Sequence, residues 1–177
     1  MKRKGLLIGL ILAVLAVSGG VFAFTYTTAT ATIGVTAVKS DFADVKGFNI
    51  DIGKVVGKQR GELPTGKKLF EIGPHSYYTG DLLVKVYLTN AGTLSKAYQH
   101  LNMKLALKDS EEWKDSDHRY QVLTLDNAAV TFNLKGQHGK KCDLTLGGGS
   151  YATNPQETLT WDTDSAQPLL YCEVTQR

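Results

Sequence analysis

The feature that most constrains this chain is strict alternation. From His100 to Lys108, Leu101, Met103, Leu105 and Leu107 alternate with His100, Asn102, Lys104 and Lys108. A helix would scatter these apolar residues around its circumference, whereas a strand places them all on one face. The same period runs through Asp81–Thr89, with Leu82, Val84, Val86 and Leu88 in one row, and through Ala128–Leu134, with Val130, Phe132 and Leu134. Further strands are expected at Tyr120–Leu125, Cys142–Leu146, Glu157–Trp161 and Leu169–Val174. Leu94–Tyr98 suits a helical turn or a loop. Many short strands with regular turn signals predict an all-β chain, an antiparallel β-sandwich of the immunoglobulin-like or jelly-roll kind.

Three stretches read as connections. Lys54–Lys68, with Gly57, Gly61, Pro64 and Gly66, reads as a turn-rich polar loop. Asp126-Asn127 reads as the turn of a hairpin, because both residue types tolerate positive φ. Gly147-Gly148-Gly149-Ser150 reads as a mobile connection.

The N-terminus has a different character. Lys2-Arg3-Lys4 precedes the apolar run Gly5–Val17, then Ser18-Gly19-Gly20 and Val21-Phe22-Ala23. A cationic head, an apolar helix, a helix break and small residues form a signal peptide, with cleavage expected after Ala23. The alternative is an uncleaved signal/anchor helix, since the charge-free stretch approaches the ~20 residues that span a bilayer. Residues 1–23 are therefore read as a signal peptide or membrane anchor, and 24–177 as one domain on the extracellular side or at the cell surface. Its size suits a single hydrophobic core.

Export alters the charge argument. The chain has 20 Lys and Arg against 17 Asp and Glu, but three of the basic residues lie in the leader, leaving 17 against 17. A neutral domain without a basic run lacks the electrostatic footprint of a nucleic-acid binder. Membrane contact is expected only through the N-terminal segment, if it is uncleaved. The two cysteines, Cys142 and Cys172, are expected to form a disulfide, an even pair in an exported chain. Closing that loop of about 30 residues would contribute on the order of 3 kcal/mol.

The first mature strand, residues 25–38, is rich in β-branched residues. Ala29, Ala31, Ile33, Val35 and Ala37 form one face and Thr28, Thr30, Thr32 and Thr36 the other. It serves either as the first strand of its own sheet or as a donor strand that fills a groove in a neighbouring copy, where main-chain hydrogen bonds supply affinity and alternate side chains set register.

Motifs for chemistry are sparse. His75, His100, His118 and His138 are dispersed through polar contexts without the spacing of a metalloprotease helix. Gly147-Gly148-Gly149 lacks the Lys-Ser/Thr of a phosphate loop, and no Gly-x-Ser-x-Gly elbow occurs. No catalytic residue is assigned, and an activity other than catalysis is expected. Asp115 and Asp117 in one loop, and Asp162 and Asp164 in another, are hard oxygen donors suited to calcium; the alternative is a solvated charged loop. No other cofactor is implied. Trp113, Trp161, Tyr77, Tyr78 and Tyr151 supply either a platform for sugar rings or core and rim residues.

A leader ending in Val21-Phe22-Ala23, followed at once by the aromatic and threonine-rich strand beginning Phe24-Thr25-Tyr26, resembles the exported filament subunits of the TasA and camelysin type and the archaeal bundling pilins. The resemblance covers Ala16 to about Val38 together with the general β pattern. It implies self-association into oligomers or filaments by strand donation through Ala29, Ala31, Ile33 and Val35. Camelysin-like proteins begin with an aromatic-Ser-Asp sequence that Phe24-Thr25-Tyr26 departs from, so their protease activity is not carried over.

Overall fold

A computed structural model describes residues 30–37, 40–54, 60–111, 120–136, 139–154 and 167–177. In chain order these form β1 (Thr30–Ala37), β2 (Ala43–Gly47), β3 (Ile50–Lys54), β4 (Arg60–Pro74), β5 (Leu82–Leu88), α1 (Ala91–Ala97), β6 (Tyr98–Leu107), β7 (Gln121–Thr124), β8 (Ala129–Leu134), β9 (Cys142–Thr153) and β10 (Leu169–Gln176). The strands make two five-stranded sheets, ordered β3-β1-β10-β5-β8 and β2-β4-β9-β6-β7. Among the paired strands only β1 and β10 run parallel; the other ladders are antiparallel. Among the described residues the fold is all-β, with one short helix.

Alternation became burial as expected. Leu82, Val84, Val86 and Leu88 of β5 meet Leu101, Met103, Leu105 and Leu107 of β6 in a core shared by both sheets, together with Phe70, Phe132 and Leu144. Each such side chain fully removed from water contributes about 1.5–3 kcal/mol, so the two inner faces drive the sheets together.

The three expected connections differ from the structure. Residues 60–68 are not a loop but the first part of β4, paired with β9 from Arg60 through Ile72. Pro64 is tolerated there because β2 reaches only Phe70–Pro74, which leaves the earlier half of β4 open on that side. Asp126-Asn127 does not join a hairpin: β7 pairs with β6 and β8 with β5, so the turn carries the chain from one sheet to the other. Its geometry is local, with Thr124 N–H donating to the Asn127 carbonyl at 3.0 Å and Asn127 N–H to Thr124 Oγ1 at 2.9 Å.

The glycine run is the third correction. Gly147, Gly148 and Gly149 lie inside β9, the central strand of the second sheet, and the β6 register shifts across them between Met103 and Leu105. They form a bulge in a ladder. Gly149 has φ +144°, and a Cβ there would collide with the Asn102 carbonyl oxygen; a Cβ at Gly147 would collide with the ring of Tyr120. The absent side chains let a backbone and an aromatic ring approach closely.

The leader (residues 1–23), Ala29, Trp113, Trp161, the calcium candidates Asp115, Asp117, Asp162 and Asp164, and the expected strand Glu157–Trp161 lie outside the described residues. Among the described residues, no helix is long and apolar enough to cross a membrane.

Candidate functional site

Two features of the first sheet stand out, the seat of β1 and the outer face beside it. The inward row of β1 follows the alternation: Ile33 is fully buried, Val35 and Ala37 are partly buried against the core, and Thr36 is exposed. Ala31 lies in the same strand, at the register position opposite Gly53. The ladder around these residues is split. Thr30–Ile33 pair antiparallel with β3, and Gly34–Ala37 pair parallel with β10. No residue of β1 is paired by register on both sides. At the junction, Gly34 N–H donates to the Pro168 carbonyl at 3.0 Å, and Val35 N–H donates to Asn49 Oδ1 at 3.1 Å. Beyond the strand, the buried Ser40 hydroxyl donates to the Val174 carbonyl of β10 at 2.8 Å and accepts from Phe42 N–H at 3.1 Å. This clamp fixes the chain as it leaves β1.

The outer face of β10, β5 and β8 carries the second feature. Register brings Tyr171 beside Tyr87 and Tyr87 beside Ala129, with Glu173 beside Lys85. The tyrosine rings lie 6.0 Å apart, tilted by 59°. The Tyr87 hydroxyl donates to Glu173 Oε2 at 3.2 Å; burial first, and then that carboxylate, push its pKa upward. Leu88, Thr89, Asn127 and Ala128 complete the rim of an open depression of about 610 Å³. No protein-family model and no curated protein matches this chain.

Of the aromatic residues singled out in the sequence, Tyr77, Tyr78 and Tyr151 are described, and Tyr151 lies apart from the other two. Tyr151 is buried edge-on against Tyr98, with ring centroids 6.1 Å apart. Tyr78 packs on Phe42 at 5.0 Å. Tyr77 is 74% exposed, its hydroxyl 2.6 Å from His75 Nδ1 and donating to the Asp41 carbonyl at 3.0 Å. The pair on the outer face, Tyr87 and Tyr171, had only a partial signal in sequence. Alternation turns each outward, but the pairing of β5 with β10 is a long-range fact.

The expected disulfide is likewise corrected: Cys142 and Cys172 are free, buried thiols. Cys142 belongs to β9 in the second sheet, paired with Ile72, and its Sγ–H donates to the Lys140 carbonyl at 3.7 Å. Cys172 belongs to β10 in the first sheet, between Ala37 and Val86. An even count of cysteines carries no information about the Cα and Cβ approach that a disulfide demands. Both side chains instead act as small apolar core residues. Burial, with Asp109 adding to it, pushes the Cys142 thiol up to about 11. Burial, with Glu173 adding to it, pushes Cys172 up to about 12. Thiolate, the nucleophilic form, is scarce for both at neutral pH.

Of the histidines, His75 sits 3.4 Å from the Asp44 carboxylate and His100 3.1 Å from the Ser150 hydroxyl. His118 and His138 lie outside the described residues. Among the described residues no three His, Cys, Asp or Glu side chains converge as a metal site. On the second sheet Lys68 bridges Glu71 (3.1 Å) and Asp143 (2.8 Å), and Lys141 also reaches Glu71 (2.8 Å). Hydrogen bonds to Asp143 and then Glu71 raise the Lys68 pKa, and those from Lys141 and then Lys68 lower that of Glu71. This network is a solvent-facing charge lattice, and its Glu71 and Lys141 also line an open depression of about 330 Å³ together with Asp44, Lys46 and His75.

Proposed function

We propose that this chain is a non-enzymatic structural protein of the cell surface, exported through its N-terminal segment and assembled into filaments by strand donation through residues 25–38. The observation that carries this reading is the seat of β1. Its ladder is split between β3 and β10, so this strand has fewer main-chain partners than a strand paired along both edges. Such a strand is suited to exchange between copies.

Strand order supports the same reading. β3 runs antiparallel to β1 and β1 parallel to β10, so β3 runs opposite to β10. With β1 and the edge strand β2 set aside, the orders become β3-β10-β5-β8 and β4-β9-β6-β7. That is the arrangement of an eight-stranded antiparallel jelly roll, complete in direction and order without β1. β1 is then a ninth element wedged between the first and last strands of that roll, and the parallel pairing marks it as the insertion. In a filament, the inserted strand would come from a neighbour, with Ile33, Val35 and Ala37 filling the same slot.

A specific observation favours a second reading. In this structure β1 occupies its own sheet, as it would in a monomeric secreted or membrane-anchored module that binds carbohydrate or protein, with calcium from Asp115, Asp117, Asp162 and Asp164. The two readings separate in one experiment: size-exclusion chromatography and negative-stain microscopy of the exported protein, with its N-terminus determined by mass spectrometry. Fibres or an oligomer ladder beginning at Phe24 are expected. A chain that remains a single monomer across concentrations overturns strand donation. A variant lacking residues 24–38 sharpens the result, since a synthetic peptide of that segment should restore its fold and block fibre growth.

A further inference from the structure

We infer that the depression between Tyr87 and Tyr171 is a binding site for an alkylammonium head group, a cation with methyl or methylene groups around its nitrogen. The inference uses no residue of β1 and stands whichever way the chain assembles. It rests on charge complementarity. Tyr87, Leu88, Thr89, Asn127, Ala128, Ala129, Tyr171 and Glu173 line the depression, and Glu173 is their one charged group. Two aromatic faces stand beside that carboxylate, with ring centroids 6.0 Å apart. The negative face of an aromatic quadrupole attracts a cation within about 6 Å of the ring centroid.

The hydrogen-bonding rim points the same way. Three of its polar side chains direct donors into the protein: Tyr87 OH to Glu173, Thr89 Oγ1 to the Leu169 carbonyl at 3.1 Å, and Asn127 Nδ2 to the Val122 carbonyl at 3.2 Å. Toward solvent the depression offers π faces, acceptor lone pairs, the Tyr171 hydroxyl and the Glu173 carboxylate. An anion would face Glu173. A cation with an apolar skin complements both the electron-rich groups and the apolar part of the lining. Lys85, the cross-strand neighbour of Glu173, closes no ion pair with it, and among the described residues the carboxylate has no salt-bridge partner.

The test uses the full chain and three probes, read through the tyrosine ring resonances by NMR titration. Choline is the quaternary cation, 3,3-dimethylbutan-1-ol is its neutral isostere, and n-butylammonium mimics a lysine side chain. Saturable shifts of Tyr87 and Tyr171 are expected with a cation and far weaker ones with the isostere. Glu173→Gln should weaken cation binding about fivefold and Tyr171→Leu by at least as much, whereas Tyr87→Phe, which keeps the ring, should retain it. Thermal unfolding of each variant establishes that it is folded. Preference for choline assigns a methylated head group, and preference for n-butylammonium assigns a protein lysine. Equal binding of choline and its isostere, no shift with any cation, or full binding by folded Glu173→Gln each overturns the proposal.

Discussion

β1 and β9 are both inner strands, one in each sheet, and they are held in opposite ways. β9 is flanked by β4 along Cys142–Ala152 and by β6 along Leu144–Thr153, so most of its length has a neighbour on both edges. β1 has β3 along its first half and β10 along its second. The side chains differ as well: β1 seats itself with the fully buried Ile33, whereas β9 buries Cys142, Leu144 and Leu146 on one side of three glycines at its centre. The glycine stretch of β9, where the Asn102 carbonyl approaches closely, tolerates no added atom. Under the proposed strand donation, β1, with Ile33 in its slot, is the strand that an identical one from a neighbour replaces.

The largest effect expected from this contrast is at Gly149. Gly149→Ala would place a Cβ against the Asn102 main-chain carbonyl, at a φ of +144° that L residues rarely adopt. Backbone strain and overpacking together should destabilise the fold by about 4 kcal/mol or prevent folding. Urea unfolding checks it, and a loss below about 1 kcal/mol would mean that the β9 ladder yields and that the two strands are not differently held.

Next in size is the side-chain anchor of β1. Ile33→Ala removes a side chain with no solvent exposure and should cost about 3 kcal/mol by lost burial and the remaining cavity. Because the slot is the same when a neighbour supplies the strand, fibre growth should weaken in parallel with stability. Equilibrium unfolding and a light-scattering assembly assay measure the two. Wild-type assembly by a variant of wild-type stability would remove Ile33 from the argument.

What could be read in the sequence follows the same division between local and long-range information. The inward rows of β5, β6, β8 and β10 were legible because side-chain alternation is a property of a few consecutive residues. β4 was partly hidden by Gly61, Pro64 and Gly66, residues that signal turns in isolation but here border an open edge and a bulge. The glycines of β9 misled for a related reason: their role is set by Asn102 and Tyr120, which approach from elsewhere in the chain. Asp126-Asn127 was legible as a turn but not as a crossing between sheets. The cysteine pair and the meeting of Tyr87 with Tyr171 depend wholly on which strands become neighbours. The inward face of residues 25–38 was readable at Ile33, Val35 and Ala37, whereas the split ladder that makes β1 suited to exchange was not.

The smallest effect is expected from the same substitution made in β1. A Cβ on Gly34 would meet Leu169 Cδ2 at 2.7 Å and Gln167 Nε2 at 3.0 Å. Both atoms are the ends of side chains, and Leu169 is 38% exposed, so each can rotate away. Gly34 shows no positive φ to penalise a side chain, and alanine would also restrict the unfolded chain, an effect worth about 0.4–1 kcal/mol in favour of folding. The two contributions oppose each other, and Gly34→Ala should shift stability by less than about 1 kcal/mol in either direction. Measured beside Gly149→Ala by the same urea unfolding, it isolates the environment, since the chemical change is identical. A loss at Gly34 as large as that at Gly149 would show the junction of β1 with β10 to be as rigid as the middle of the second sheet, and a strand held that rigidly would not be one that copies exchange.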